Sequence, residues 1–257
     1  MQYPYQDYVG LIQQSLIDHW DMPALTDYKG ITLQYKDVAR KIEKLHLLFE
    51  AAGIQPEDKI AICGRNSAHW AVAFLATMTY GAIAVPILHE FKAEQVHNIV
   101  NHSDARLLFA GDVVWPTLKV EDMPNIEGVV HLPDFQLMLS RSEMLTAARE
   151  NLNARFGERY PKYFRKEHVS YRPSPEGDAL AIINYTSGTT SNSKGVLIPY
   201  RALWSNYDFA LQVLGEQVKA GQRIISMLPM AHLYGRAFAV VFACLHGVPV
   251  PAVTRQR

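Results

Sequence analysis

Cysteine is nearly missing from this sequence: Cys63 and Cys244 are the two among 257 residues. Both lie inside apolar runs and neither has metal-ligand spacing, so each reads as a core thiol. Sparse, unpaired cysteine fits a reducing compartment, and a cytoplasmic location is expected. An excess of charge is missing too, with 25 Lys+Arg against 25 Asp+Glu. A nucleic-acid partner is therefore not expected, because phosphate backbones select basic stripes. The locally basic stretch from Arg155 to Arg172 is interrupted by Glu158 and Glu167 and reads as a solvated face or loop. The N-terminus, Met1-Gln2-Tyr3-Pro4-Tyr5-Gln6-Asp7, lacks the basic-then-apolar layout of a signal peptide. An unbroken membrane span is also lacking. Trp70–Leu88 and Ala237–Val253 carry no Asp, Glu, Lys or Arg. The first is punctuated at Tyr80-Gly81 and Pro86, the second at His246-Gly247, Pro249 and Pro251. Each reads as a buried helix, a glycine turn and a short buried strand, the kind of run that a sheet covered on both faces produces.

What is present is an alternation of strands and helices. Apolar spacing predicts helices from about Gln6 to His19 and from about Tyr35 to Ala52, with a turn and short strands around Lys29-Gly30 between them. Then follow a strand at Lys59–Cys63, the turn Gly64-Arg65-Asn66-Ser67, a helix at Ala68–Tyr80 and a strand at Ile83–Ile87. A helix at Lys92–His102 leads to strands at Arg106–Phe109 and Gly128–His131. Strands separated by helices of ten or more residues imply an α/β fold with a parallel sheet and crossover helices. Residues 1–177 are expected to form a first α/β subdomain, with a helical or irregular insertion at about 132–177. There Leu137, Leu139, Met144, Leu145 and Leu152 suggest helical pieces. Residues 178–257 are expected to form a second α/β unit. It would hold strands at Ala179–Asn184, Arg223–Leu228 and Val248–Val250, a helix from Arg201 to about Leu214, and an apolar helix ending near Leu245. His69, His89, His97 and His102 lack an accompanying Cys or carboxylate cluster and read as solvated or capping histidines rather than metal ligands.

The chemistry concentrates in Tyr185-Thr186-Ser187-Gly188-Thr189-Thr190-Ser191-Asn192-Ser193-Lys194-Gly195, which packs six Ser/Thr hydroxyls, two glycines and one lysine into eleven residues after an apolar strand. Glycines let backbone N–H groups approach phosphate oxygens, hydroxyls donate further hydrogen bonds, and the lysine supplies positive charge. The stretch is not a Walker A loop. Counting from Gly188, Lys194 falls correctly, but Ser193 precedes it instead of glycine and Gly195 follows it instead of Ser/Thr. It resembles the phosphate-binding signature of the adenylate-forming superfamily: acyl-CoA synthetases, luciferases and peptide-synthetase adenylation domains. The family's usual form is Tyr-Thr-Ser-Gly-Thr-Thr-Gly-x-Pro-Lys-Gly-Val. The match holds at Tyr185 to Thr190 and at Lys194 to Val196, and departs at Ser191, where glycine is usual, and Ser193, where proline is usual. Serine adopts positive φ less freely than glycine and lacks proline's fixed φ, so both departures bear on the loop's closed shape.

A second segment, Leu228-Pro229-Met230-Ala231-His232-Leu233-Tyr234-Gly235, resembles the family's Leu-Pro-Leu-x-His-x-x-Gly, and its Ala-His form with Arg236 leans toward long-chain acyl-CoA synthetases. Weaker similarities at Ile31–Val38, Gly53–Ile62 and Gly81–Ile87 extend the resemblance over nearly the whole chain. The resemblance implies that Thr186, Ser187, Gly188, Thr189, Thr190 and Lys194 cradle the β- and γ-phosphates of ATP. It makes His232, beside the acyl and adenylate site, the catalytic candidate. It further implies ATP, Mg²⁺ and CoA as cofactors and a small carboxylic acid, a fatty acid first, as substrate. The family's later Tyr-Gly-x-Thr-Glu and Thr-Gly-Asp segments and its C-terminal domain do not occur in this sequence. The chain is therefore expected to be the N-terminal fragment of a longer ligase and inactive alone. Two alternatives stay open: a non-catalytic binding or scaffold protein on the same fold, and an aryl-acid or peptide-synthetase adenylation domain.

Overall fold

A computed structural model describes residues 7–174, 176–186, 194–214, 225, 226 and 228–232, together with the backbone of 250–252. Helix α1, Tyr8–Asp18, is followed by the antiparallel hairpin of β1, Pro23–Asp27, and β2, Thr32–Gln34. Helix α2, Tyr35–Ala51, buries Val38, Ile42, Leu45 and Phe49, the spacing of one helix face. Its first turn is closed by the Asp37 carboxylate, which accepts from the Gln34 N–H at 3.0 Å.

Strand β3, Lys59–Cys63, leads into helix α3, Ala68–Tyr80, whose start is capped by the Ser67 hydroxyl accepting from the Trp70 N–H at 3.0 Å. Gly81 stops α3 at φ 88°, a left-handed conformation that suits glycine. Helix α3 buries every residue from Trp70 to Thr79 and is apolar all round because it is packed on all sides. Strand β4, Ile83–Ile87, helix α4, Ala93–His102, and strand β5, Ala105–Ala110, continue the alternation. Strands β6, Gly128–His131, and β7, Leu137–Ser140, are followed by helices α5, Glu143–Glu150, and α6, Leu152–Arg159. Strand β8, Leu180–Thr186, turns back as β9, Lys194–Pro199, ahead of helix α7, Tyr200–Leu214. A last strand, β10, Val250–Ala252, pairs in parallel with β1.

Seven strands form one sheet in the order β7-β6-β5-β3-β4-β8-β9. The five inner strands are parallel, and β7 and β9 run antiparallel at the two edges. Side chains alternate between two cores, as a pleated strand requires. Ile60, Ile62, Leu107 and Phe109 face the core shared with α2 and α3, whereas Ala61, Cys63, Leu108 and Ala110 face the core with Val96 and Ile99 of α4. The expected α/β architecture with a mainly parallel sheet is thus found. Strand β8 lies beyond the expected division near residue 177 and hydrogen-bonds to β4 in this same sheet. The β4–β8 ladder has the single register pair Ala84↔Ile182. Pro86, two residues on, faces the same side and offers no N–H to extend it.

Two expectations are corrected. Leu137 and Leu139 lie in β7, not in helical pieces; they pair antiparallel with Val130 and Val129. Two apolar residues are too few to fix a period, and the β6 neighbour decides the conformation. Val250, the end of the expected strand Val248–Val250, lies in β10, Val250–Ala252, whose register is set by β1; Val248 and Pro249 lie outside the described residues. His97 is buried rather than solvated: its Nε2 accepts from the Lys119 N–H at 3.0 Å, and its Nδ1 lies 3.4 Å from Asp122. The expected helix ending near Leu245, Cys244, and Arg223, Ile224 and Met227 of the expected strand Arg223–Leu228 lie outside the described residues.

Candidate functional site

Parallel strands end at a common edge, so β3, β4, β5 and β8 deliver Gly64, Leu88, Gly111 and Thr186 to one side of the sheet. Ligands of open α/β sheets bind at this carboxyl edge, above all where successive connections leave to opposite sides. Here that switch lies between β3 and β5, since β3 connects toward β4 and β5 toward β6. The two strand ends approach closely there: a Cβ on Gly111 would sit 3.0 Å from the Gly64 Cα. A crevice of about 430 Å³ opens at this point, lined in part by Asp27, Arg65, Asn66, His69 and Asp112. Burial, reinforced by Lys41, pushes the His69 imidazole down to about 4, so it is neutral at physiological pH. Burial raises the Asp27 carboxyl, opposed by the Ala68 N–H that it accepts at 2.7 Å.

The hairpin of β8 and β9 carries the ends of the hydroxyl-rich stretch. Burial fades along β8 until Thr186 is exposed. Thr186 pairs in register with Lys194 and Tyr185 with Gly195, so the hairpin closes on the two outer members of the predicted phosphate cradle. Lys194 is exposed at the start of β9. Ser187, Gly188, Thr189 and Thr190, with the two departures Ser191 and Ser193, lie outside the described residues. The base of the hairpin is packed. Tyr185 is buried, its ring stands edge-on to His102, and its hydroxyl lies 2.7 Å from the His102 Nδ1. Gly195 leaves room for that ring, because a Cβ there would sit 2.9 Å from Ile183 Cγ2 and 3.1 Å from Tyr185 Cζ. Burial, with Asp104 nearby, raises the Tyr185 phenol above its usual range.

His232 stands exposed at the end of a tight turn in which its N–H donates to the Pro229 carbonyl at 2.9 Å. Met230 and Ala231 anchor the turn in the core. The Asn66 side chain joins this segment to the β3 end, with hydrogen bonds to the backbone of Leu228 and Met230. The structure therefore places Thr186 and Lys194 together, and ties the His232 segment to the same edge through Asn66. Sequence reasoning missed Asn66, Gly111, His102 and Asp27. Gly64-Arg65-Asn66-Ser67 carried a signal, but only that of a turn. Among the described residues no group of three His, Cys, Asp or Glu side chains is placed to hold a metal, and no helix is long and apolar enough to cross a membrane.

The chain matches the sequence family described as AMP-binding enzyme over residues 13–256. A long-chain-fatty-acid–CoA ligase 5 of Rattus norvegicus is 28% identical over 228 residues, covering 84% of this chain and 32% of the relative. A red-emitting luciferase from Phrixothrix hirtus superposes with a TM-score of 0.81 at 17% identity, covering 100% of this chain and 48% of that one. The inhibitor-bound N-terminal domain of FACL13 from Mycobacterium tuberculosis gives 0.71 at 18% identity, covering 98% and 58%. The chain spans about a third of the length of the curated relatives it matches.

Proposed function

Because the match spans residues 13–256, the chain belongs to the AMP-binding enzyme family, and we propose that it supplies the N-terminal part of an ATP-dependent, AMP-forming fatty acid–CoA ligase. The observation that carries this reading is the β8–β9 hairpin. It closes on Thr186↔Lys194 at the carboxyl edge, the edge to which the His232 segment is tied.

In the proposed reaction a carboxylate oxygen attacks the α-phosphorus of ATP, and pyrophosphate leaves with the electron pair of the broken P–O bond. The thiolate of CoA then attacks the acyl carbon and AMP leaves. Lys194 sets its positive charge against pyrophosphate as negative charge builds on it, and Thr186 donates a hydroxyl hydrogen bond beside it. Such stabilisation acts through fixed charge and positioning rather than covalent chemistry. Ser187, Gly188, Thr189 and Thr190 complete the cradle in this proposal, and His232 borders the acyl group. Mg²⁺ accompanies ATP in the proposal, where it would supply positive charge to the phosphates. The fatty-acid preference is supported by the long-chain ligase at 28% identity. A cytoplasmic setting belongs to the same proposal, in keeping with the buried free thiol of Cys63.

The test is AMP, pyrophosphate and thioester formation by the enzyme that carries this chain, given ATP, Mg²⁺, CoA and a panel of acids. Thioester formation is expected with long-chain fatty acids. Activity confined to aromatic acids overturns the fatty-acid preference, and the lack of any acid-dependent AMP formation overturns the ligase reading.

A further inference from the structure

The Asn66 side chain makes two contacts whose pattern exceeds that of an ordinary turn residue. Its Nδ2 donates to the Leu228 carbonyl at 2.7 Å, and its Oδ1 accepts from the Met230 N–H at 2.7 Å. The amide orientation is fixed by chemistry, since a carbonyl only accepts and an N–H only donates. The two backbone groups belong to residues two apart, and they are the pair that one residue of a parallel strand would engage on its neighbour. Asn66 thus acts as a one-residue strand, reaching 162 and 164 positions along the chain. It satisfies both groups of a segment that is also held by the buried Met230 and Ala231 and by the Pro229–His232 turn. Asn66 itself is set in place at the end of β3, one residue before the Ser67 that caps α3. Its backbone position is therefore inherited from the best-packed part of the sheet.

We propose that Asn66 is a positioning residue that fixes the turn carrying His232 and thereby sets the acyl side of the site, leaving the phosphate side to the β8–β9 hairpin. This rests on the reading of His232 as an acyl-site residue. The side chain is specific to the task. Aspartate keeps the acceptor for Met230 but turns a second acceptor toward the Leu228 carbonyl, and alanine removes both contacts. Loss of the clamp frees the turn without touching Thr186 or Lys194, so the two halves of the site separate in their response.

The experiment uses the enzyme that carries this chain, as wild type and as Asn66→Ala and Asn66→Asp. Exchange of the Met230 amide is followed by mass spectrometry or NMR. Binding of ATP and of a non-hydrolysable dodecanoyl-sulfamoyl adenosine is measured by calorimetry. In Asn66→Ala we expect Met230 exchange to rise about tenfold and the acyl-adenylate mimic to bind about tenfold more weakly, with ATP affinity within about twofold of wild type. Asn66→Asp, which preserves size, is expected to fall between Asn66→Ala and wild type in exchange, and it decides the matter should Asn66→Ala fail to fold. Unchanged Met230 exchange in the variants overturns the clamp, and so does an equal loss of affinity for ATP and mimic. A wild-type enzyme carrying this chain that binds neither ligand overturns the ligase reading, and the exchange result then decides the clamp by itself.

Discussion

The two edges of the central sheet are built from the same strands and are finished in opposite ways. At the amino edge the charges are paired internally. Arg106, at the start of β5, donates to Asp58 at 2.5 Å, to Glu127 at 2.6 Å and to the Gly53 carbonyl at 2.9 Å. Near it, in a cavity of about 370 Å³ that reaches Gln55 and Pro56, the buried Glu43 carboxylate accepts from the Tyr160 hydroxyl at 2.6 Å. At the carboxyl edge Thr186, Lys194, Arg65 and His232 are all exposed. Among the described residues around them are a capped α3, a packed Tyr185 and an anchored turn. One edge uses polar groups to hold the sheet together. The other holds polar groups out on a well-fixed frame, as preorganised binding and electrostatic catalysis require.

This contrast breaks most visibly if the wrong edge responds to substitution. Lys194→Ala is expected to lower acid-dependent AMP formation by the enzyme carrying this chain about 100-fold, the usual cost of removing one preorganised group aimed at developing charge. The unfolding free energy in urea should stay within about 0.5 kcal/mol of wild type, because the side chain is exposed. A loss of stability without a loss of AMP formation would move Lys194 into the structural class.

The second test compares two histidines. Burial pushes both His46, near the amino edge, and His69, near the carboxyl edge, from 6.5 down to about 4. The His46 Nε2 lies 3.1 Å from the Ala76 carbonyl and 3.0 Å from the Thr79 Oγ1. A carbonyl only accepts, so the neutral ring carries its proton on Nε2. A lowered histidine pKa means that the unfolded chain binds more protons between pH 6.5 and 4. The stability from keeping His46 neutral is full above 6.5 and is lost as pH falls toward 4, by roughly 3 kcal/mol for this fully enclosed ring. Urea unfolding across that range should show the fall, and His46→Gln should flatten it. His69 is half-buried, and His69→Gln should change the slope much less. The reverse order would show that the carboxyl-edge crevice is the drier of the two places.

Arg106→Met probes the amino edge directly. It leaves Asp58 and Glu127 without their shared cation, and because all three are partly exposed the expected cost is about 2 kcal/mol rather than that of a fully buried pair. Chemical denaturation measures it. ATP affinity of the folded protein should be unchanged; a large change would mean that the two edges are mechanically coupled.

The same division governs what could be read from sequence. The run from β3 to β5 was legible almost residue by residue, because buried strands, an all-apolar α3 and the φ requirement at Gly81 are local signals. The pairing of β10 with β1 joins residues 250 and 25, and no local pattern announces a partner that distant. Likewise β7 is a strand because β6 lies beside it. At the site, the hydroxyl-rich stretch was found by its composition and correctly set at a strand end. The structure adds that Lys194 opens a returning strand instead of standing within the loop. Asn66 was invisible because its meaning lies in two backbone groups of a distant segment. A side chain that recognises backbone leaves no trace in the residue types that it recognises.

The smallest expected effect sharpens the contrast within the carboxyl edge itself. Two interactions fix the hairpin base: the Tyr185 ring packed over Gly195, and the Tyr185 hydroxyl bonded to His102. Tyr185→Phe removes only the second. His102 is exposed and can turn to water, so the expected loss is about 1 kcal/mol in urea unfolding, with ATP affinity reduced no more than about threefold. Gly195→Ala attacks the first, since the added Cβ meets Ile183 and the Tyr185 ring well inside ordinary contact distance. Whichever neighbour gives way, the Thr186↔Lys194 pair beside it shifts. Gly195→Ala should therefore weaken ATP binding more than Tyr185→Phe does, at similar cost in stability. If Tyr185→Phe proves the more damaging for ATP, the hairpin is aligned by the hydrogen bond to α4. The hairpin, like the Asn66-clamped turn, would then depend on polar contacts, as the amino edge does.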